Sequence, residues 1–165
     1  MSISDERRHV PAGYTPVTPY ICPRDAATAI DWYVDVLGAT ESGQRYVDDD
    51  GRIGHAEIRI DGSPIMVSDA YPDYGAVAPD EGNTAATFAL HVYVADADVT
   101  VAAARKAGAN VQRPVEGQGH GSRMGTMIDP FGVRWMVATH VRDLSQDEQD
   151  RQAREFSGAE PGPVQ

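Results

Sequence analysis

Cysteine is almost absent from this chain: Cys22 is the single one among 165 residues. No disulfide can form within the chain, which fits a reducing compartment, and we therefore expect a cytoplasmic protein. No catalytic partner is evident near Cys22 in the sequence. We interpret it as a small apolar filler of the first strand rather than as a reactive thiol.

Basic side chains are also scarce. The chain has 14 Lys and Arg residues against 25 Asp and Glu, which gives a formal net charge of −11. A nucleic-acid partner requires clustered positive charge, so this composition argues against one. No run approaches the roughly 20 apolar residues that cross a bilayer, and the N-terminus lacks the apolar stretch of a signal peptide. We therefore expect neither nucleic acid nor a membrane as a partner.

One strand–helix unit occurs twice in the sequence. An extended, half-apolar run at Thr18–Asp25 leads into a helical pattern that ends at Gly38. A similar run at Ala89–Asp96 leads into a second helical pattern that ends at Gly108. Each run finishes on an aspartate that can cap the helix, and each helix stops at a glycine suited to a left-handed turn. The duplication predicts two related modules.

Strand-like sequence follows each helix, with turn signals such as Asp61-Gly62 between the strands. We expect strands at 15–22 and 41–47 and helices at 26–37 and 97–107, so that each module reads βαβββ. The predicted division is a flexible arm at 1–14, a first βαβββ module at 15–75, an inter-module loop at 76–84, a second βαβββ module at 85–142, a polar C-terminal helix at 143–156 and a disordered tail at 157–165.

Two short motifs accompany this order of elements: Ile-Asp-Trp-Tyr-x-x-x-Leu-Gly-Ala at 30–39 and Asp-Pro-Phe-Gly at 129–132. Together they resemble the glyoxalase/bleomycin-resistance superfamily, also called vicinal oxygen chelate proteins, and most of all its PhnB-like branch. The resemblance implies an α+β fold of tandem βαβββ modules that form a curled mixed sheet, with the ligand held in the cup of that sheet. It also implies a homodimer.

Metal-dependent members of this superfamily place one His, Glu or Gln ligand on the first and last strand of each module. The resemblance matches these positions to Thr18, Met66, Ala89 and Met136. This donor set does not suit a divalent ion, which takes nitrogen or oxygen ligands. We therefore predict no metal and no other cofactor.

The strand pattern also predicts which side chains line the cup. In the strand at 52–60, His55, Glu57 and Arg59 alternate with apolar residues that should meet the first helix. Arg123 follows a glycine-rich turn that could close over the cup. The expected ligand-binding residues are Thr18, Tyr20, His55, Glu57, Arg59, Met66, Ser68, His91, Tyr93, Arg123, Arg134 and Met136.

A lining of Met, Tyr and a few polar groups suits a small aromatic molecule. Our first hypothesis is a metal-free small-molecule binding protein of the bleomycin-resistance type, which sequesters an aromatic or antibiotic-like ligand. The alternative is a metal-dependent lyase, isomerase or dioxygenase that uses His55, Glu57 and His91 as metal ligands or as an acid–base set. His55 and Glu57 could also form a hydrogen-bonded pair that touches no ligand.

Overall fold

The computed structural model describes residues 9–82, 84–118, 121–145, 147–148 and 150–151. Most of the predicted arm, part of the predicted C-terminal helix and the whole predicted tail at 157–165 lie outside the described residues. Within the described part of the chain, no helix is both long enough and apolar enough to cross a membrane.

In chain order the described elements are β1 (Tyr20–Ile21), α1 (Ala26–Leu37), β2 (Thr40–Glu41), β3 (Tyr46–Val47), β4 (Ile53–Ile60), β5 (Ser63–Val67), a short 3-10 helix (Pro72–Tyr74), β6 (Leu90–Tyr93), α2 (Ala97–Lys106), β7 (Asn110–Gly117), β8 (Ser122–Ile128) and β9 (Arg134–His140).

The two modules have the same topology. The first sheet has the strand order β1-β5-β4-β2, with β3 also paired to β4, and the second has the order β6-β9-β8-β7. In each sheet the first strand lies parallel to the last strand, and the remaining pairs are antiparallel. The structure therefore confirms the predicted α+β fold of tandem βαβββ modules.

The helix caps repeat as the sequence predicts. The Asp25 side chain accepts a hydrogen bond from the backbone of Thr28, and α1 ends at Gly38 with a φ of 68°. The Asp96 side chain accepts from the Val99 backbone in the same way at the start of α2. These caps satisfy backbone groups that the ends of a helix leave without partners.

The first strand is much shorter than predicted. Instead of covering 15–22, β1 contains only Tyr20 and Ile21. Pro16 and Pro19 lack the backbone N–H that a ladder needs. Around Pro16 the chain turns locally, and the Thr18 hydroxyl donates to the Thr15 carbonyl. The strand expected at 15–22 is thus mostly an irregular segment.

The strand expected at 41–47 is also interrupted. It forms β2 and β3, which pair with different parts of β4. Between them Gly43 adopts a φ of 83°. Arg45 turns back toward α1, where its guanidinium lies 2.6 Å from Asp31 and 2.8 Å from Glu41. This ion-pair group holds the break between the two short strands.

The modules meet through their helices and the turn after β8. Helix α1 contacts α2, and the Trp32 indole donates to the Ala107 carbonyl at 3.0 Å. The Tyr33 hydroxyl donates to the Asp129 carboxylate at 2.8 Å. Buried side chains of both modules belong to one apolar cluster, so the two sheets share a core.

Candidate functional site

Each sheet has one face against the helices and one face that points away from them, which we name the open face. Along β4 the two faces alternate, as expected for a strand. Ala56 and Ile58 are buried in the core, whereas His55, Glu57 and Arg59 are half-buried on the other side. The predicted placement of these three polar residues opposite the helix is therefore what the structure shows.

Strand register brings three predicted residues of the first open face into one row. Tyr20 on β1 lies opposite Met66 on β5, and Met66 lies opposite Glu57 on β4. Thr18, expected beside Met66, precedes β1 and bonds within its own turn. The residue opposite Met66 is thus Tyr20, two positions later than predicted, because the prolines delay the start of the strand.

The second sheet shows the same correction. His91 on β6, rather than Ala89, lies opposite Met136 on β9. Met136 is in turn opposite Thr126 on β8. Thr126 is a buried polar residue that was not among the predicted site residues. Its alternation with the core residue Met127 was the available signal.

A hydrogen-bonded chain occupies the first open face. His55 Nε2 lies 3.3 Å from Glu57 Oε1, and His55 Nδ1 lies 3.3 Å from the Tyr20 hydroxyl. The Tyr14 hydroxyl donates to the second oxygen of Glu57. This bond, followed by that from His55, lowers the pKa of Glu57, while its own bond to the carboxylate raises the pKa of Tyr14. Glu57 is therefore a stabilised anion.

Aromatic rings flank His55 on two sides. Its ring centroid lies 5.8 Å from that of Tyr20 and 6.2 Å from that of Tyr46. Tyr46 is the cross-strand partner of His55 on β3, and it was not among the predicted site residues. Tyr20 is 50% exposed and Tyr46 is 65% exposed. The pair leaves an accessible, flat, apolar surface around one imidazole.

Arg59 holds the preceding segment against this face. Its guanidinium donates to the Gly13 carbonyl at 2.7 Å and to the Gly62 carbonyl at 3.1 Å. The same group lies over the Tyr14 ring, 5.3 Å from the centroid. The sequence pattern placed residues 13 and 14 in a flexible arm, whereas in the structure they are tied to β4. Tyr14 was missed because its partners lie far along the chain.

Ser68 and Cys22 form a separate contact beside this cluster. Ser68 is buried, and its hydroxyl donates to the Asp69 carbonyl at 3.0 Å. The Cys22 sulfur lies 3.5 Å from the same hydroxyl. These contacts give Ser68 a packing partner and a backbone acceptor. Little of its hydroxyl group is therefore accessible to a ligand.

The second open face carries a smaller group. The rings of His91 and Tyr93 lie 4.8 Å apart, and both residues are exposed. The Arg134 side chain donates to Gln112 at 3.2 Å. Met136 is half-buried beside His91. Among the hydrogen bonds, ion pairs and ring contacts of the described residues, none joins this group to His55 or Glu57.

Arg123 does not belong to either open face. Its guanidinium forms a two-pronged ion pair with Asp98 of α2, at 2.9 and 2.8 Å. On β8 it alternates with Met124 and shares the helix side with the core residue Met127. Strand alternation turns Arg123 toward the helix, so the structure does not place it over the cup as the sequence pattern suggested. Met124 takes the outward position next to it.

A cleft of about 330 Å³ lies where the β4–β5 turn approaches β6. Of the predicted ligand-binding residues, only His91 and Tyr93 are among its lining side chains. The rest of its lining is largely apolar and includes Pro64, Ile65 and Trp135. The cleft thus lies between β5 of the first sheet and β6 of the second.

The model of the Glyoxalase/Bleomycin resistance protein/Dioxygenase superfamily matches residues 15–137. The chain belongs to this superfamily. Uncharacterised proteins of Mycobacterium bovis and Mycobacterium tuberculosis are each 37% identical to it over 136 residues, which cover 80% of this chain and 88% and 78% of theirs.

Solved structures of the superfamily fold are also similar. TioX from Micromonospora sp. ML1 aligns with a TM-score of 0.56 and 22% identity, over 79% of this chain and 100% of TioX. A PhnB protein from Bacillus cereus, described as a putative 3-demethylubiquinone-9 3-methyltransferase, aligns with a TM-score of 0.57 and 18% identity, over 76% of this chain and 99% of its own. At these identities the likeness establishes the fold.

The superfamily's metal positions can now be compared with the observed register. The strand pairs that would carry ligands hold Tyr20 with Met66 and His91 with Met136, so His91 is the one imidazole or carboxylate among them. Within the described residues, no three His, Cys, Asp or Glu side chains come together in a way that could hold a metal ion. The alternative set of His55, Glu57 and His91 is divided between two sheets and does not assemble in this part of the chain.

Proposed function

We propose that this protein binds a small, flat aromatic molecule on its open faces without using a metal ion. The observation that carries the proposal is the exposed aromatic surface around His55, formed by Tyr20 and Tyr46. Ligand rings placed there would cover apolar area at about 25 cal/mol per Å². Ring-to-ring contacts add about 0.5–1.5 kcal/mol for each pair.

Polar groups lie next to the same surface. His55 lies beside the two tyrosine rings, and Glu57 lies 3.3 Å from the His55 ring. Met66 provides an adaptable sulfur beside Tyr20. A mainly apolar surface with a few convergent polar groups is typical of a small-molecule site. An antibiotic-like compound is one ligand of this chemical class. In a cytoplasmic setting the single thiol, Cys22, would remain reduced.

A homodimer is part of this proposal. In one chain, the open faces are half exposed and no bond among the described residues connects them. Strand β6 is an edge strand of its sheet, and unpaired edges favour association. A second copy placed against the open faces would enclose the ligand between two modules. Its test is the molar mass in solution, measured by light scattering with and without ligand; a monomer in both samples would contradict the dimer.

The binding site is tested with acridine orange, a flat heteroaromatic dye, in a fluorescence titration. We expect saturable binding and about a tenfold loss of affinity in Tyr20→Ala or Tyr46→Ala, since each removes one ring contact. Tyr74→Ala is the matched control, because Tyr74 is 88% exposed on the 3-10 helix, outside both open faces. Equal effects in all three variants would refute the site.

The metal-free part of the proposal has its own measurement. Elemental analysis of the purified protein, followed by dye titration after treatment with a chelator, is expected to give an unchanged dye affinity. A stoichiometric, tightly bound transition metal whose removal abolishes dye binding would overturn this part, and it would support the metal-dependent alternative instead.

A further inference from the structure

The bonds around His55 suggest that the site can move a proton as well as bind a ligand. We propose that Tyr20, His55 and Glu57 form an acid–base relay that accepts a proton from a flat, weakly acidic ligand on the first open face. Tyr20 is the group that takes the proton from the ligand, and His55 and Glu57 act through it. This inference rests on the proposed binding of such a ligand, and it adds a chemical step to that function.

In the neutral relay, the positions of the protons follow from which atoms can donate a hydrogen bond. The ionised Glu57 carboxylate can only accept a hydrogen bond, so His55 Nε2, 3.3 Å away, carries the ring proton. His55 Nδ1 then has a free lone pair and accepts from the Tyr20 hydroxyl at 3.3 Å. In this order the Glu57 carboxylate fixes the tautomer of the His55 imidazole, and the imidazole can accept the proton of the Tyr20 hydroxyl.

Every polar hydrogen of the relay also has a hydrogen-bond acceptor when His55 is protonated. When His55 carries two ring protons, Nδ1 donates to the Tyr20 oxygen and Nε2 still donates to Glu57. The Tyr20 proton then points to the Gly54 carbonyl, 3.4 Å from the phenol oxygen. Both protonation states keep a partner for every polar hydrogen, so proton uptake breaks no network that would have to be rebuilt.

One anion, Glu57, lies next to His55. Glu57 has 17% of its side chain exposed, and its second oxygen accepts from Tyr14, which fixes the carboxylate beside His55. From β5, the neighbouring side chain in the row is Met66, which carries no charge. Among the contacts of the described residues, the titratable or charged groups next to His55 or Glu57 are Tyr14, Tyr20, Tyr46 and Arg59.

The proposed step is a proton transfer with no other reactant. The Tyr20 oxygen takes a proton from the ligand while its own proton passes to His55 Nδ1, and Glu57 balances the new positive charge. The electron pair left on the ligand must be delocalised, so the ligand class is a flat ring system with an acidic C–H beside an electron-withdrawing group. The rings of Tyr20 and Tyr46 suit that shape.

Nitrobenzisoxazole is a probe of this class. Removal of its ring C–H proton forms a nitrile as the N–O bond breaks and the phenolate oxygen leaves with the electron pair, which produces a coloured cyanonitrophenolate. We expect saturable turnover by the full chain. His55→Ala should lower kcat/KM about a hundredfold, which is the lower end of general acid–base contributions. His55→Gln replaces it if His55→Ala does not fold.

Glu57→Gln separates a positioning role from a structural one. It should lower kcat/KM about tenfold, since it leaves Tyr20 and His55 in place. The loss should appear in kcat with KM unchanged, because Glu57 acts on the proton transfer through His55 and does not touch the ligand. A loss that appears in KM with kcat unchanged would contradict the assigned role of Glu57.

His140→Ala is the matched control. His140 lies at the end of β9 in the second sheet, is 53% exposed at its side chain and pairs with Asp143 rather than with Tyr20, His55 or Glu57. Its turnover should equal that of the unaltered protein. If the protein binds acridine orange but shows no turnover, or if His55→Ala and His140→Ala behave alike, the relay is refuted while the binding function stands. If neither dye binding nor turnover occurs, both proposals fail.

Discussion

At the scale of single residues, Asp129 is a carboxylate buried in the core. It is 3% exposed, and its carboxylate accepts four hydrogen bonds. One oxygen accepts from the Tyr33 hydroxyl and the Trp135 indole, and the other accepts from the backbones of Phe131 and Val133. Burial raises the pKa of Asp129, and these donors oppose that effect. The charge is tolerated because every lone pair that faces the core has a donor.

Asp129→Asn should therefore destabilise the protein, although it keeps the size of the side chain. Either orientation of the amide places an NH₂ group opposite two donors, so two buried hydrogen bonds are lost. Each unsatisfied buried group costs about 1–3 kcal/mol, and we expect a loss of about 3 kcal/mol in the free energy of unfolding. Chemical denaturation monitored by circular dichroism measures it.

Tyr33→Phe serves as the comparison for that variant. It removes one of the four donors to Asp129 and leaves the other three in place, so we expect a loss of about 1 kcal/mol. An Asp129→Asn protein as stable as Tyr33→Phe would show that the carboxylate is not the anchor of this network.

The sequence singled out Asp129 only as the first residue of the Asp-Pro-Phe-Gly motif. Local pattern indicates turns and caps well, because their partners lie within a few positions. The Tyr33 hydroxyl comes from 96 positions away, and no periodicity carries that information. Tyr14 was missed for the same reason, since its bond to Glu57 spans 43 positions.

At the scale of elements, β7 and β8 pack unusually closely at Gly125. A methyl group built on Gly125 would lie 2.9 Å from the Val115 side chain and 3.2 Å from the Arg113 carbonyl. The register of β7 against β8 shifts on both sides of Arg113. The irregular strand β7 therefore approaches β8 closely at Gly125, which has no side chain.

Gly125→Ala should destabilise the protein by about 1–3 kcal/mol, the usual cost of adding a methyl group to a packed interior. Gly117→Ala is the matched control in the same pair of strands, since a methyl group on Gly117 would have no other atom within 4 Å. We expect Gly117→Ala to be neutral or slightly stabilising. Thermal unfolding of both variants measures the difference, and equal midpoints would contradict the close approach.

Elements with strong local signals were predicted well. Helix α1 covers 26–37 as expected, because capping aspartate, apolar stripe and terminal glycine agree. The strands were predicted less well, and β1 shows why. Its side chains alternate in the same way whether pairing begins at Thr18 or at Tyr20. The pattern in the sequence therefore does not decide where pairing begins. Thr18 and Ala89 were consequently chosen two positions before the paired residues Tyr20 and His91.

At the scale of the whole molecule, the two modules share bonds that cross their boundary. Arg24 of the first module donates to the carbonyls of Pro79 and Asp80 in the inter-module loop and to that of Pro130 in the second module. The loop also contacts the turn after β8, where a methyl group on Gly132 would lie 2.6 Å from Pro79. These contacts connect both modules to the loop between them.

We therefore expect the modules to unfold together, and the two tryptophans allow a direct test. In Trp135→Phe the remaining fluorescence comes from Trp32 in the first module, and in Trp32→Phe it comes from Trp135 in the second. Each variant loses one indole hydrogen bond, to Asp129 or to Ala107, and part of a buried ring, so each midpoint should fall by the equivalent of at least about 1 kcal/mol. Within each variant, however, fluorescence and circular dichroism should give the same denaturant midpoint. Fluorescence midpoints that depart from circular dichroism in opposite directions in the two variants would mean that the modules unfold separately and that the shared core contributes little to either.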